Sequence, residues 1–144
     1  MTRRKIADRG DIIAIPTVDG REVFAQVCWA SNYFNDVIQI AFITCTSEAE
    51  LNGKLNFVEP SIFSGATLVR KNRWRKLFAH TQLYEPSPPV FYSGGGVYQG
   101  DEYLREATAE ERSTLLNLSV KGYVLVEKRA TEIANQIHLR VAGA

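Results

Sequence analysis

Cysteine, histidine and methionine are all scarce in this chain of 144 residues, which has two, two and one of them. A structural zinc takes four ligands, and neither Cys28 nor Cys45 belongs to a Cys-x-x-Cys or stands near a His-x-x-x-His, so no metal or other cofactor is expected. A disulfide framework is equally unsupported, because small secreted domains that need staples carry more thiols than this. No stretch approaches the ~18–20 consecutive apolar residues of a membrane-spanning helix, and no membrane partner is expected. An excess of one charge is missing too. Seventeen Lys and Arg against sixteen Asp and Glu leave +1, so wholesale attraction to a nucleic-acid backbone is not indicated and only local patches matter. The opening Met1–Asp8 is basic without an apolar segment behind it, which reads as cytoplasmic.

What is present, 45% hydrophobic and 23% charged residues, suits one domain over 1–144 with its own core. Its β-rich part covers 9–82. Gly10 opens a strand Asp11-Ile12-Ile13-Ala14-Ile15-Pro16, Asp19-Gly20 marks a tight hairpin, and Arg21–Ala30 returns. The alternation places Val23, Ala25, Val27 and Trp29 on one face and Phe24, Gln26, Cys28 and Ala30 on the other, a strand covered on both sides. The polar turn Ser31–Asp36 carries two exposed-looking aromatics, Tyr33 and Phe34, before a third strand, Val37–Thr44. Ser47–Lys54 allows one or two helical turns ending at Asn52-Gly53. Phe57–Pro60 and Ala66–Arg70 read as extended, and Arg73–Gln82 alternates with strand period.

Three prolines after Tyr84 and the triplet Gly94-Gly95-Gly96 make 85–101 an extended connection over the surface. The part over 108–141 is helical. Thr108-x-x-Glu111 has capping-box spacing, Gly122–Val126 reads as a short strand, and Ala130, Ile133, Ala134, Ile137 and Val141 recur at helical spacing.

Candidate chemistry is thin. His138, near the end of the last helix, suits the helix dipole, and His80 suits a hydrogen-bonded, partly buried position, so neither is placed beside a nucleophile. If the second and third strands pair across Tyr33-Phe34, Cys28 falls opposite Gln39 or Ile40 and Cys45 near Arg21 or Glu22, too far apart to bridge. The glycine triplet lacks the Gly-Lys-Ser/Thr of a P-loop. Flanked by Phe91, Tyr92, Tyr98 and Tyr103, with Asp101 and Glu102 beside them, it reads either as a binding loop for a protein partner or as a spacer whose aromatics fold back on the core. Arg70, Lys71, Arg73, Trp74, Arg75 and Lys76 put five cations around one aromatic, which suits phosphate contact with base stacking. The blander reading is a solvated face, or one opposed by Asp101, Glu102, Glu106, Glu110 and Glu111.

Gly10-Asp11-Ile12-Ile13-Ala14-Ile15-Pro16, the Asp19-Gly20 turn and Phe24-Ala25-Gln26-Val27 resemble the opening of immunity protein family 26 of bacterial polymorphic-toxin systems, over about 9–45. The resemblance implies a small, mostly β, non-enzymatic protein that binds and neutralises a cognate toxin by occlusion. It transfers no contact residue. The expected architecture is α+β, a strongly bent antiparallel sheet resembling an SH3-like barrel, strands first and two helices last. The same opening is similar to the mRNA interferases of the PemK type, which cleave RNA with an arginine and a threonine or serine. Arg21 and Thr44 are the matching positions, although Glu22 stands where that family has proline. Across a tight turn Arg21 falls opposite about Thr46, with Thr44 its diagonal neighbour at ~7–8 Å.

Overall fold

The structure is a computed structural model that describes residues 6–45 and 47–142, with side chains described through Ile137. The side chains of His138 and Val141, the opening Met1–Lys5 and Thr46 lie outside the described residues. Among the described residues, ten strands and three helices follow in order: β1 Asp11–Pro16, β2 Glu22–Ala30, β3 Val37–Ile43, β4 Phe57–Gly65, α1 Thr67–Arg70, β5 Arg75–Ala79, β6 Val90–Ser93, β7 Gly96–Gln99, β8 Glu102–Glu106, α2 Ala109–Thr114, β9 Leu116–Asn117, β10 Val120–Lys121 and α3 Tyr123–Ala142. A single 3₁₀ turn, Glu48–Asn52, joins β3 to β4.

The architecture is α+β, with two sheets. The larger has the order β10-β4-β3-β2-β1-β5 and the smaller β8-β7-β6-β9. Neither closes into a barrel, and neither is wholly antiparallel, because β10 runs parallel to β4 and β9 parallel to β6. Strands continue past Val90, so the helices are not segregated behind a finished sheet.

The opening hairpin forms as its sequence dictates. Ile12 pairs with Gln26 and Pro16 with Glu22, and Thr17 N–H bonds Arg21 O at 2.8 Å. Only Gly20 takes a positive φ, +89°, so the loop is the three-residue kind with glycine at the left-handed position rather than a two-residue Asp-Gly turn. Val18 N–H then donates to Thr131 Oγ1 of α3 at 2.9 Å, which fastens the hairpin to the helix.

β2 is buried on both faces. Ile13, Ile15, Val23, Ala25, Val27, Ile40 and Phe42 pack on one side against Val126, Ala130, Ile133 and Ala134 of α3. Ile12, Ala14, Phe24 and Ile43 pack on the other against Leu51 and Leu55. Trp29 does not stay on the α3 side as strict alternation requires. Val27 pairs with Ile40 and Trp29 with Gln39, leaving Cys28 as the extra residue of a β-bulge, and the change of parity turns Trp29 toward Phe63 and Phe91. That bulge gives the smaller sheet its seat.

Three further expectations are corrected. Thr67–Arg70 is a helical turn, not a strand, with Arg70 N–H bonded to Ala66 O at 3.1 Å. Tyr123–Val126 opens α3 rather than forming a strand, because Val126 shares its buried helical stripe with Ala130, Ile133 and Ala134. The stretch 85–101 is an irregular connection only as far as Pro89, after which β6 and β7 form a hairpin. Its turn is Gly94-Gly95, with φ of +55° and +88°, between the paired Ser93 and Gly96. Two consecutive positive φ values are what a type I′ hairpin requires, and side chains reach them only with strain. The Thr108–Glu111 capping box is present, with Glu111 N–H donating to Thr108 Oγ1 at 3.1 Å and Thr108 N–H to Glu111 Oε1 at 3.1 Å.

Polar side chains inside the fold are used as clips. The buried Gln26 amide donates to Gln82 O at 2.7 Å and accepts from Tyr84 N–H at 2.8 Å, tying the stretch before the prolines to β2. The Gln82 side chain bonds both Leu55 N–H and Leu55 O. Tyr84 donates its hydroxyl to Glu59 Oε2 at 2.6 Å, and burial, reinforced by that carboxylate, raises its pKa to about 12.

Candidate functional site

Three of the four aromatic residues around the glycine triplet, Phe91, Tyr98 and Tyr103, are joined into one ladder that runs from the core to the surface. Phe91, fully buried, meets Trp29 at 5.7 Å and Phe63 at 5.3 Å between ring centroids. Tyr98 pairs with Phe91 across the strands and stacks on it at 5.7 Å, and Tyr103 pairs with Tyr98 and meets its ring edge-on at 5.5 Å. A branch leaves through Phe34, 5.3 Å from Tyr98, to Tyr33 at 4.9 Å. The ladder therefore surfaces at two tyrosines, Tyr33 and Tyr103, which are 68% and 57% exposed. Burial divides these aromatics: Phe91 folds back on the core, whereas Tyr33 and Tyr103 are exposed. Phe91 is removed from any partner by its position between the sheets.

Gly96 determines where Tyr103 lies. A Cβ on Gly96 would stand 2.7 Å from Tyr103 Cε2, so the ring rests on bare backbone. Substituting Gly96 by alanine is expected to displace the exposed Tyr103 ring while costing at most about 1 kcal/mol, since an exposed ring can swing away more cheaply than the backbone. A thermal melt and the Tyr103 ring proton shifts read the two effects separately.

β8 forms the open edge of the smaller sheet, and all five of its residues are exposed. Leu104 is the unpaired residue of another bulge, between Arg105 opposite Val97 and Tyr103 opposite Tyr98. Asp101 is used internally: its carboxylate accepts from Ser31 Oγ and, at 2.8 Å, from Asn32 N–H, so it holds the turn carrying Tyr33 and Phe34 against the smaller sheet. Tyr92 lies beneath the Arg112 guanidinium, 5.9 Å from ring centre to charge. Arg105 binds Glu111, which together with the Thr108 amide holds the Glu111 carboxyl below its ordinary pKa. Glu102, Glu106 and Glu110 have no ion-pair partner among the described residues. Leu104 was not anticipated, because bulges leave no mark in a five-residue strand pattern.

The basic run is dispersed by its own ion pairs. Arg70 meets Asp36 at 3.1 Å, Arg75 meets Glu22 at 3.1 Å, and Lys76 lies 3.7 Å from Asp11. Arg73 forks onto Glu127, with Nε 2.8 Å from Oε2 and a terminal nitrogen 2.6 Å from Oε1. The compensating acids thus come from β1, β2, α3 and the turn before β3, not from the run 101–111. Trp74 is 1% exposed and donates Nε1–H to Glu127 Oε2 at 3.0 Å, so it offers no ring to a base.

Arg21 and Thr44 have partners of their own. The Arg21 guanidinium grips both Asp19 oxygens, at 3.0 and 2.7 Å, and reaches Asn135 Oδ1 at 2.6 Å. The Arg21 bond, with one from Thr17, holds the Asp19 carboxyl well below the usual carboxylate range. Thr44 Oγ1 donates to Asn56 O at 3.3 Å. His80 Nδ1 accepts from Gln82 N–H at 2.9 Å, which puts the ring proton on Nε2, 3.2 Å from Gly53 O; both nitrogens are engaged with backbone, one nearby and one in the loop before β4. Cys28 is buried at the bulge, and Cys45, half-buried beyond β3, has its thiol pushed up to about 11 by burial and nearby Glu50. No helix among the described residues is long and apolar enough to cross a membrane.

No family model, no curated protein and no solved structure matches this chain.

Proposed function

We propose that the chain is a non-enzymatic immunity protein that binds a cognate bacterial toxin and neutralises it by occlusion. The observation that carries this reading is the aromatic ladder ending at the open edge of the smaller sheet, where Tyr103 and Leu104 lie bare between Glu102 and Glu106. Exposed tyrosines supported from below by buried rings give contact area at small entropic cost, which is how hot spots of protein interfaces are built. Glu102, Glu106 and Glu110, without an ion-pair partner among the described residues, suit a basic patch on the toxin and would speed encounter more than they would deepen affinity. The resemblance of Gly10–Val27 to immunity protein family 26 supports the same class.

The enzyme reading requires Arg21 to leave Asp19 and Asn135 before it can meet a phosphate, so occlusion is preferred. Expression in a naive bacterium distinguishes the two. Immunity predicts unimpeded growth with intact RNA, and protection when the toxin domain encoded beside it is co-expressed. Tyr103→Ala should weaken that complex by ~2 kcal/mol or more without lowering thermal stability, and Arg21→Ala should leave protection intact. Growth arrest with cleaved RNA, relieved by Arg21→Ala or Thr44→Ala in folded protein, overturns the proposal.

A further inference from the structure

Four large apolar side chains are bare within six residues where β10 leads into α3: Val120 at 47%, Tyr123 at 50%, Val124 at 62% and Leu125 at 55% exposure. Scattered exposed apolar residues are ordinary, but a cluster bordering a groove is not. Val120 and Tyr123 wall an open groove of about 420 Å³ whose floor is formed by Leu68 and the buried Trp74. Two cations, Lys71 and Lys121, stand at it, and neither is paired with a carboxylate among the described residues. Lys71 is the one cation of the neighbouring run with no carboxylate partner among the described residues, and Lys121 donates instead to Ser119 Oγ at 3.4 Å. Arg73 lies 5.4 Å from the Tyr123 ring centre and, anchored by Glu127, keeps that ring at the groove wall.

We propose that this groove is a second docking surface, distinct from the edge at β8, and that its occupant is a polypeptide segment carrying an apolar side chain between carboxylates. The apolar walls and floor take the side chain; Lys71 and Lys121 meet the flanking acids. Complementarity of this kind selects against basic and uncharged segments, since an unpaired lysine beside a lysine of the guest is repelled. A nucleic acid fits poorly: two ammonium groups are few for a phosphate track, and Trp74 is too deep to stack. The concavity favours a guest side chain over a flat bilayer surface. This surface shares no residue with the one assigned to the toxin, so either assignment can fail without the other.

The test uses the full chain and a fluorescein-labelled peptide, Asp-Asp-Leu-Phe-Glu-Glu, read by anisotropy. It should bind at micromolar concentration, more weakly as salt rises. Lys71→Glu with Lys121→Glu should weaken binding by about tenfold or more while the thermal melt is unchanged. Tyr123→Ser should weaken it as well. A lysine-flanked peptide and one with serine in place of Leu-Phe should not bind. The proposal is overturned by no binding at ~1 mM peptide, by affinity indifferent to the lysine reversals, or by equal binding of the lysine-flanked peptide. It is also overturned if the double variant abolishes adsorption to anionic vesicles, binding of an RNA oligonucleotide, or self-association in sedimentation, since the groove would then serve a membrane, a nucleic acid or a second copy.

Discussion

Replacing Phe91 by alanine is expected to lower the unfolding free energy by about 3–5 kcal/mol, the range for removing a buried aromatic ring. Phe91 contacts Trp29 and Phe63 of the larger sheet and Phe34 and Tyr98 of the surface branch, so its removal opens a cavity where the two sheets meet. Neither backbone ladder is interrupted, and β6 keeps both its neighbours, β7 and β9. Urea titration should therefore give a lower midpoint, with the smaller sheet exchanging its amide hydrogens first. The contrast with Tyr103→Ala is informative. The same ladder ends in a ring whose loss costs little stability, so if both variants lose toxin binding, only the first does so through the fold. An unchanged urea midpoint for Phe91→Ala would mean that the smaller sheet does not depend on this junction.

Glu127→Ala should be comparably severe, at about 2–4 kcal/mol. The carboxylate is buried, accepts two bonds from the half-exposed Arg73 and one from the buried Trp74 indole, and sits in the first turns of α3. Truncation leaves the indole N–H without an acceptor and releases the arginine. Glu127→Gln retains one oxygen for Trp74 and should lose less. Burial works to raise the Glu127 carboxyl, and the bonds from Arg73 and Trp74 outweigh it, so its pKa in the folded protein lies below the ordinary glutamate value. A depressed carboxylate pKa contributes stability above the unfolded value of about 4.3 and loses it as pH falls through the folded value. The stability gap between wild type and Glu127→Gln, measured by urea at pH 7 and again near pH 3, should shrink at the lower pH. A constant gap would show that the ion pair is not its source.

Local signals were legible wherever the determining interactions are close in the chain. Gly10–Pro16, Gly20 and β2 form a hairpin because turn and strands are contiguous, and Thr108–Glu111 caps a helix by bonds three residues apart. The helical stripe of Ala130, Ile133 and Ala134 was equally plain. Short apolar runs were not. Tyr123–Val126 could be strand or helix by pattern, and only packing of Val126 under the larger sheet decides it. At the candidate site, Tyr98 and Tyr103 are visible as aromatics flanking glycine, and Tyr33 as an exposed-looking aromatic of the turn Ser31–Asp36. Their order along one ladder is not, because it depends on cross-strand registers.

By itself, then, the sequence determined an α+β chain that opens on a β-hairpin, carries a capped short helix and ends in an amphipathic one. It also determined that no dominant charge or thiol framework is available. Tertiary structure alone decided that the Cys28 bulge turns Trp29 away from α3, that β9 and β10 pair in parallel with β6 and β4, and that four of the five cations of the basic run meet Asp11, Glu22, Asp36 and Glu127. The physical reason is range. Capping, turn chemistry and periodicity act over a few residues, whereas a bulge, a strand partner or a buried ion pair gains its energy from groups that meet only after the chain has folded.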